Sequence, residues 1–365
     1  MASRTTPLHD RHAEAGATFT DFGGWEMPVE FDGIRDEHAA VREGVGVFDV
    51  SHMGEVEVSG PEALELVSRM TTNDASHLDP GDAQYALQTD EEGVIVDDTL
   101  VYLLPDGETY LFVPNAGHDA EAVARWRDHR DAWGLDAAVE NVSDERGMLA
   151  VQGPDAVSAV ADETTADVEA LGRFEAANAT VAGVDCLVSR TGYTGEDGVE
   201  LVFETGDGAT LWDAFVPAYR PCGLGARDTL RTEMGFLLSG QDFHHEENPR
   251  TPFEAGVGFA VDLDHAFVGR DALVAQAAGE LAERFTGLVL EERGVPRHGY
   301  AVTADADAAD RIGELTSGTM SPTRGEPIGL GYLDAAYADP GTTVYVVIRG
   351  EAKRATITEP PFIDR

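Results

Sequence analysis

Lysine is almost missing from this chain of 365 residues. Lys353 stands alone among 25 basic residues that face 68 acidic ones, for a net charge of −43. A chain this poor in positive charge offers no basic face to a phosphate backbone, which excludes nucleic acid as a partner. No lysine lies near a candidate site, so Schiff-base chemistry has no carrier. Cysteine is nearly as scarce. Cys186 and Cys222 can form at most one bridge, and a chain long enough to bury a large core needs no such staple, so two reduced thiols are expected. No apolar run approaches the roughly 18 to 20 residues that span a bilayer, and the opening Met-Ala-Ser-Arg-Thr-Thr-Pro lacks the apolar centre of a signal peptide. The expectation is a cytoplasmic protein with no membrane partner.

Several chemical signatures are absent as well. There is no Gly-Lys-Ser/Thr phosphate loop, and no Gly-x-Ser-x-Gly nucleophile elbow. His244 and His245 are adjacent rather than spaced i, i+4, and with Glu246 and Glu247 beside them they read as a solvated acidic loop, so no metal is expected.

What is present begins with the acids, which are spread along the whole sequence rather than massed in one tail. Such self-repulsion destabilises a compact state in dilute buffer, and it fades at molar salt, where the Debye length falls to about 3 Å. A salt-loving cytoplasm is the expected habitat. With 42% hydrophobic residues the chain should divide into two or three domains.

Asp36 to Glu43 reads as a short helix ending at Gly44, and Val45 to Val50 as the start of a strand. From Gly54 strands and helices alternate: Glu55 to Val58 extended, Pro61 to Met70 helical, Gly93 to Leu104 and Thr109 to Val113 extended, Ala120 to Trp133 helical. A second block with the same rhythm runs from Met148 through Phe203 to a helix over Ala209 to Val216. This is an α+β pattern. Beyond about residue 280 short strands punctuated by Gly and Pro argue for a small antiparallel β-barrel, with Ala304 to Asp310 as an exposed loop.

Three clusters carry possible chemistry. Val94-Ile-Val-Asp97-Asp98-Thr-Leu-Val-Tyr102 sets two carboxylates inside an apolar strand. Alternation puts Asp98 on the face of Val94, Val96, Leu100 and Tyr102, and Asp97 on that of Ile95, Thr99 and Val101. A carboxylate among aliphatics is costly unless paired or functional. Solvated acids on an edge strand are the plain alternative, and Asp98, on the more apolar face, is the better candidate for function. The loop Arg190-Thr-Gly-Tyr193-Thr-Gly-Glu-Asp-Gly198 lets a ligand approach the backbone and offers Tyr193 for stacking, with Glu200 in the strand that follows. By itself such a loop favours an ordinary turn. In Gly223-Leu-Gly-Ala-Arg227-Asp228, Asp228 is placed to cap a helix with the apolar stripe Leu230, Met234 and Leu237. Arg227 then stands just outside a helix start that disfavours it, free either to hold a ligand carboxylate or to form an ion pair within the chain.

Taken in order, these segments resemble the glycine cleavage T-protein (aminomethyltransferase) family from end to end. Further carrying motifs are Thr6-Pro-Leu-His9, Asp21-Phe-Gly-Gly-Trp25-Glu-Met-Pro28, Val47-Phe-Asp-Val-Ser-His-Met53, Val151-Gln-Gly-Pro154, Phe253-Glu-Ala-Gly256 and Thr316-Ser-Gly-Thr-Met-Ser-Pro-Thr323. The resemblance implies a three-domain, cloverleaf-like fold: residues 1–52 with 142–275 as a discontinuous folate-binding domain, 53–141 as an inserted α+β domain, and 280–365 as the C-terminal barrel. It implies Asp98 as the catalytic aspartate, and Met53, Tyr85, Asn115, Tyr193, Glu200 and Arg227 as folate-binding positions. Arg297 matches a basic position near the barrel without an assigned role.

The implied activity transfers the methylene carbon of an S-aminomethyl-dihydrolipoyl carrier (H) protein to tetrahydrofolate, the co-substrate. The products are 5,10-methylenetetrahydrofolate, ammonia and dihydrolipoyl protein, and no metal takes part. Glycine decarboxylase and dihydrolipoamide dehydrogenase are the functionally linked partners. The acidity adds the expectation of a halophilic archaeal source. Pro114 before Asn115 and Thr232 after the Gly-Ala-Arg-Asp segment depart from the family pattern. A folate-dependent demethylase on the same fold is the rival reading, and a non-catalytic folate-binding factor of iron-sulfur assembly is disfavoured because Phe236-Leu-Leu-Ser-Gly-Gln-Asp242 lacks that group's cysteine.

Overall fold

A computed structural model describes residues 3–365 of the chain, in two compact units. Among the described residues the first comprises 3–86 and 98–227, the second 87–97 and 228–365.

The first unit is built on mainly antiparallel sheets. Its N-terminal segment forms a three-stranded sheet of β1 (Arg4–Thr5), β2 (Thr18–Phe22) and β3 (Trp25–Glu30) in the order β1-β3-β2, with β1 and β3 paired in parallel. Gly23 and Gly24, at φ 58° and 82°, make the turn between β2 and β3, a conformation that costs glycine little. The central sheet has six strands, β4 (Gly46–Asp49), β10 (Arg146–Gln152), β11 (Ala176–Val181), β12 (Val184–Ser189), β13 (Gly198–Glu204) and β14 (Arg220–Pro221). Their order is β11-β12-β13-β10-β4-β14, with only the β4–β14 pair parallel. Alternate residues of these strands, among them Val47, Leu149, Val151, Val199, Leu201 and Phe203, bury one face against Leu211, Trp212 and Phe215. The last three come from the helix Gly208–Phe215, so an amphipathic helix closes the core.

A five-stranded sheet holds β5 (Val56–Ser59), β6 (Ala83–Thr89), β7 (Ile95–Leu103), β8 (Tyr110–Val113) and β9 (Ala138–Asn141) in the order β6-β7-β8-β5-β9. The helix Asp119–Trp133 follows β8. It carries Asp119 and Glu121 in its first turn and Arg130 in its last, and it stops at Gly134 in the left-handed region. That arrangement suits the helix dipole and satisfies the terminal carbonyls.

In the second unit six strands form a closed antiparallel barrel: β15 (Glu283–Leu290), β16 (Ala301–Thr303), β17 (Arg311–Met320), β18 (Pro327–Asp334), β19 (Thr343–Ile348) and β20 (Glu351–Thr358). Leu288, Val302, Leu315, Leu333, Val344 and Ile357 fill its interior. The chain is α+β with a C-terminal barrel, as expected. Residues 304–310 form an exposed turn region between β16 and β17.

Two local expectations need correction. The helix around Arg227 runs Leu224–Met234, so Asp228 lies inside it rather than at its cap. Asp228 accepts from Arg231 one turn on, at 2.8 Å. Gly235, at φ 75°, ends the helix, which leaves Leu237 outside the stripe assigned to it.

Candidate functional site

From Ile95 to Leu100 strand β7 alternates as the sequence requires, with burial on the other side from apolarity, and beyond Leu100 both faces are buried. Asp97 is 3% exposed and shares the buried face with Ile95, Thr99 and Val101, whereas Asp98, Val96 and Leu100 are half-buried. The face with more aliphatic neighbours is therefore the open one. A count of apolar neighbours could not foresee this, because an aliphatic wall lines a ligand site as readily as a core.

On that open face the Asp98 carboxylate is held at both oxygens. Tyr85 donates its hydroxyl to Oδ2 at 2.8 Å, and Asn115 donates Nδ2 to Oδ1 at 2.7 Å and to the Asp98 carbonyl at 3.1 Å. Tyr85 comes from β6, Asp98 from β7, and Asn115 from the turn after β8, so three neighbouring strands of one sheet fix one carboxylate. Pro114, the unusual residue before Asn115, accepts at its carbonyl from the Gly54 amide at 2.9 Å. The turn that carries Met53, half-buried after β4, is thereby tied to the segment that carries Asn115.

A second group forms around Glu200. Arg227 lies over one face of the Tyr193 ring, 4.4 Å from its centroid, a cation–π contact that leaves the guanidinium's position well defined. Glu200 pairs with Ser189 and Ala150 across β13, and Thr191 Oγ1 donates to its carboxylate at 2.5 Å. Desolvation raises the Glu200 pKa above its ordinary value, against the opposing pull of the Thr191 hydrogen bond and the charge of Arg227. Arg227 is in the first helical turn, not before it, so the dipole still disfavours it there. Stacking and the nearby carboxylate offset that cost.

The hydroxyl of Tyr102 links the groups. It lies 3.4 Å from Thr191 Oγ1 and accepts from Ser189 Oγ at 3.4 Å. Tyr102 follows Asp98 on the same face of β7 by strand alternation, so its strand connects the aspartate cluster with the Glu200 cluster.

The Gly-rich loop is shaped by Gln152, 1% exposed, whose amide donates to the Thr191 carbonyl at 3.1 Å and accepts from Thr194 Oγ1 at 2.8 Å. Arg190 closes the loop's base on both oxygens of Asp197, at 2.6 and 2.8 Å.

Residues 8–265 match the family model described as the GCVT N-terminal domain, and residues 283–364 match the glycine cleavage T-protein C-terminal barrel domain. The chain belongs to the glycine cleavage T-protein family. A probable aminomethyltransferase of Halobacterium salinarum is 64% identical, over 100% of both chains. The aminomethyltransferase of Bacillus subtilis is 42% identical, over 99% of each. The crystal structure of the glycine cleavage system aminomethyltransferase T from Bartonella henselae aligns with a TM-score of 0.91 at 30% identity, covering 99% of this chain and 98% of that one.

One residue of the T-protein motif Val47 to Met53 had no role in the sequence reading. His52 is 1% exposed, and neither ring nitrogen has a hydrogen-bond partner among the described residues. It meets Phe22 edge to face at 5.5 Å, and burial first, then Arg227, lowers its pKa to about 3. Its place between Ser51 and Met53 was the available signal; its burial was not readable. Arg297, in the second unit, is exposed and donates to the Gly318 carbonyl at 2.9 Å. His244 accepts at Nδ1 from the amides of Glu246 and Glu247, at 3.2 and 3.1 Å, and so organises its own turn. Both cysteines are buried free thiols.

Proposed function

We propose that the Asp98 carboxylate is the catalytic group of this glycine-cleavage aminomethyltransferase, with tetrahydrofolate bound between the Asp98 and Glu200 clusters. One observation carries the reading: Tyr85 and Asn115 fix both oxygens of a carboxylate on the open face of β7. A purely structural acid is ordinarily turned into a core network or left to solvent. This one is oriented, and it stands on a face that is not sealed into the core.

The carbon to be moved is bonded to both the dihydrolipoyl sulfur and an amino nitrogen. As the carbon–nitrogen bond breaks and ammonia departs, that carbon becomes electrophilic. Folate N5 and N10 then form two carbon–nitrogen bonds while the thiolate leaves, giving methylenetetrahydrofolate. Asp98 accepts a proton from a folate nitrogen and stabilises the cationic carbon. Glu200, desolvated and backed by Thr191, binds the polar edge of the pterin. Tyr193 presents a ring whose other face is covered by Arg227, and Met53 walls the pocket. Excluding water protects the intermediate from diversion to formaldehyde.

The lipoylated carrier protein delivers the substrate, with glycine decarboxylase and dihydrolipoamide dehydrogenase acting before and after it in a shared cytoplasm. The division into a folate-binding domain of residues 1–52 and 142–275, an inserted domain of 53–141 and a barrel of 280–365 is carried forward with this reading. The test is ammonia release from aminomethyl-lipoyl carrier protein. Release strongly stimulated by tetrahydrofolate, with methylenetetrahydrofolate as product, is expected. Formation of 5-methyltetrahydrofolate from a methylated donor, with indifference to the carrier, would assign a demethylase instead.

A further inference from the structure

A cavity lies wholly within the first unit, and none of Tyr85, Asp98, Asn115, Tyr193, Glu200 or Arg227 lines it. It measures about 640 Å³, and its walls include Glu55, Glu57, Leu111, Arg146, Asp185 and Leu187. Volumes of about 300 to 1,000 Å³ are typical of small-molecule sites and far exceed the space a bare ion occupies.

Glu55 makes this cavity unusual. Its backbone is fully engaged: its amide donates to Ser143 Oγ at 2.9 Å, and its carbonyl accepts from the Val142 amide at 3.0 Å. Its side chain is 0% exposed, and neither carboxyl oxygen has a hydrogen-bond partner among the described residues. Glu55 stands just before β5 and lines the cavity together with Glu57, whose cross-strand neighbour is Leu111, another wall residue. Arg146 approaches Glu57 at 3.5 Å, which leaves Glu55 as the acid with no hydrogen bond or ion pair. A buried, unpaired carboxyl is destabilising, so its retention calls for a compensating group. Burial pushes its pKa well above the ordinary carboxylate value.

We propose that this cavity binds a small organic ammonium ion, its charged head on Glu55 and its apolar body along Leu111 and Leu187. The acids supply the head's partner, while the aliphatic walls demand more than a naked cation. On binding, the carboxyl releases its proton to solvent and forms a charge-assisted hydrogen bond with the ammonium group. Molar salt weakens such a pair little, because screening acts on exposed charges far more than on buried ones.

Calorimetric titration of the full chain in molar KCl with n-hexylammonium chloride tests this, with n-hexanol as the neutral probe of equal shape. One saturable site for the amine is expected, with affinity at least about tenfold above that for the alcohol, the weight of one charge-assisted contact. Glu55→Gln should lose that preference, Leu187→Trp should abolish binding by filling the cavity, and folate-dependent turnover should be unchanged in both. Absence of binding by the parent, equal affinity for amine and alcohol, or full binding by Leu187→Trp would overturn the proposal. Should Glu55→Gln fail to fold, the alcohol comparison and Leu187→Trp decide alone.

Discussion

His52 is a residue whose burial works against the fold in acid. Its folded pKa of about 3 lies below the roughly 6.5 of an unfolded histidine. The unfolded chain therefore binds the proton first. The stability His52 contributes is complete above about pH 6.5 and is lost as pH falls from there towards its folded value, by up to about 1.4 kcal/mol per pH unit. His12, whose pKa is lowered by burial against the opposing charge of Asp49, adds in the same direction. Denaturant midpoints in molar KCl should fall between pH 7 and pH 4, and His52→Leu should flatten that slope. An unchanged slope would mean that other groups dominate the acid response. At this scale the sequence was legible where type and pattern suffice. An aspartate inside an apolar run marks Asp98, and a Gly-rich loop marks Tyr193. Tyr85 and Asn115 came only from family resemblance, because a tyrosine and an asparagine in other strands carry no local sign that they converge on one carboxylate.

Among the elements, the loop of residues 190–198 depends on close packing between Gly192 and Gln152. A Cβ at Gly192 would lie 2.0 Å from Gln152 Oε1. Gln152 is buried and bonded to both Thr191 and Thr194, so it can yield only by giving up those bonds. Gly192→Ala should displace Tyr193 and weaken tetrahydrofolate binding by about tenfold, near the 1 to 3 kcal/mol of one lost buried hydrogen bond. Calorimetric titration beside a melting curve separates the two effects, and parental affinity in the variant would show that the loop is not part of the folate site. The helices Asp119–Trp133 and Gly208–Phe215 were readable nearly to their ends, as were the barrel strands β15, β18 and β19, whereas the barrel's β16 and β20 were not foreseen. Nor was the three-stranded N-terminal sheet: β3 contains Pro28 and β1 has only two residues, so neither shows the alternating pattern of a strand. The helix at Arg227 was misplaced for a related reason. Gly223 and Gly225 look like a loop, yet a Cβ at either would meet Val29 or Ile34 within 2.5 Å. Those glycines serve close packing at the helix start rather than a turn.

For the molecule as a whole, charge is the governing quantity. The net −43 is dispersed, and Lys353, the lone lysine, is itself paired with Glu351 at 2.7 Å. Much of the remaining cationic charge is likewise held in ion pairs such as Arg42–Glu196 and Arg231–Asp242, at 2.8 and 2.6 Å. The unpaired surplus of carboxylates repels at low ionic strength, and shortening the Debye length to about 3 Å at molar salt relieves it. The melting temperature should rise steeply along a potassium chloride series. A melting temperature equal in dilute buffer and at molar salt would contradict this. Composition alone carries this expectation, since acidity needs no knowledge of the fold.

The most direct test of the account compares Asp98→Asn with Asp97→Asn, measuring the rate of methylenetetrahydrofolate formation together with tetrahydrofolate affinity. Asparagine keeps the shape of Asp98 but can neither take a proton nor stabilise a cation. Turnover should therefore fall by about a hundredfold to ten-thousandfold while affinity stays close to that of the parent. Asp97→Asn, on the buried face, should act on stability and leave turnover nearly intact. Parental turnover in Asp98→Asn, or greater damage to turnover from Asp97→Asn, would contradict the catalytic assignment of Asp98.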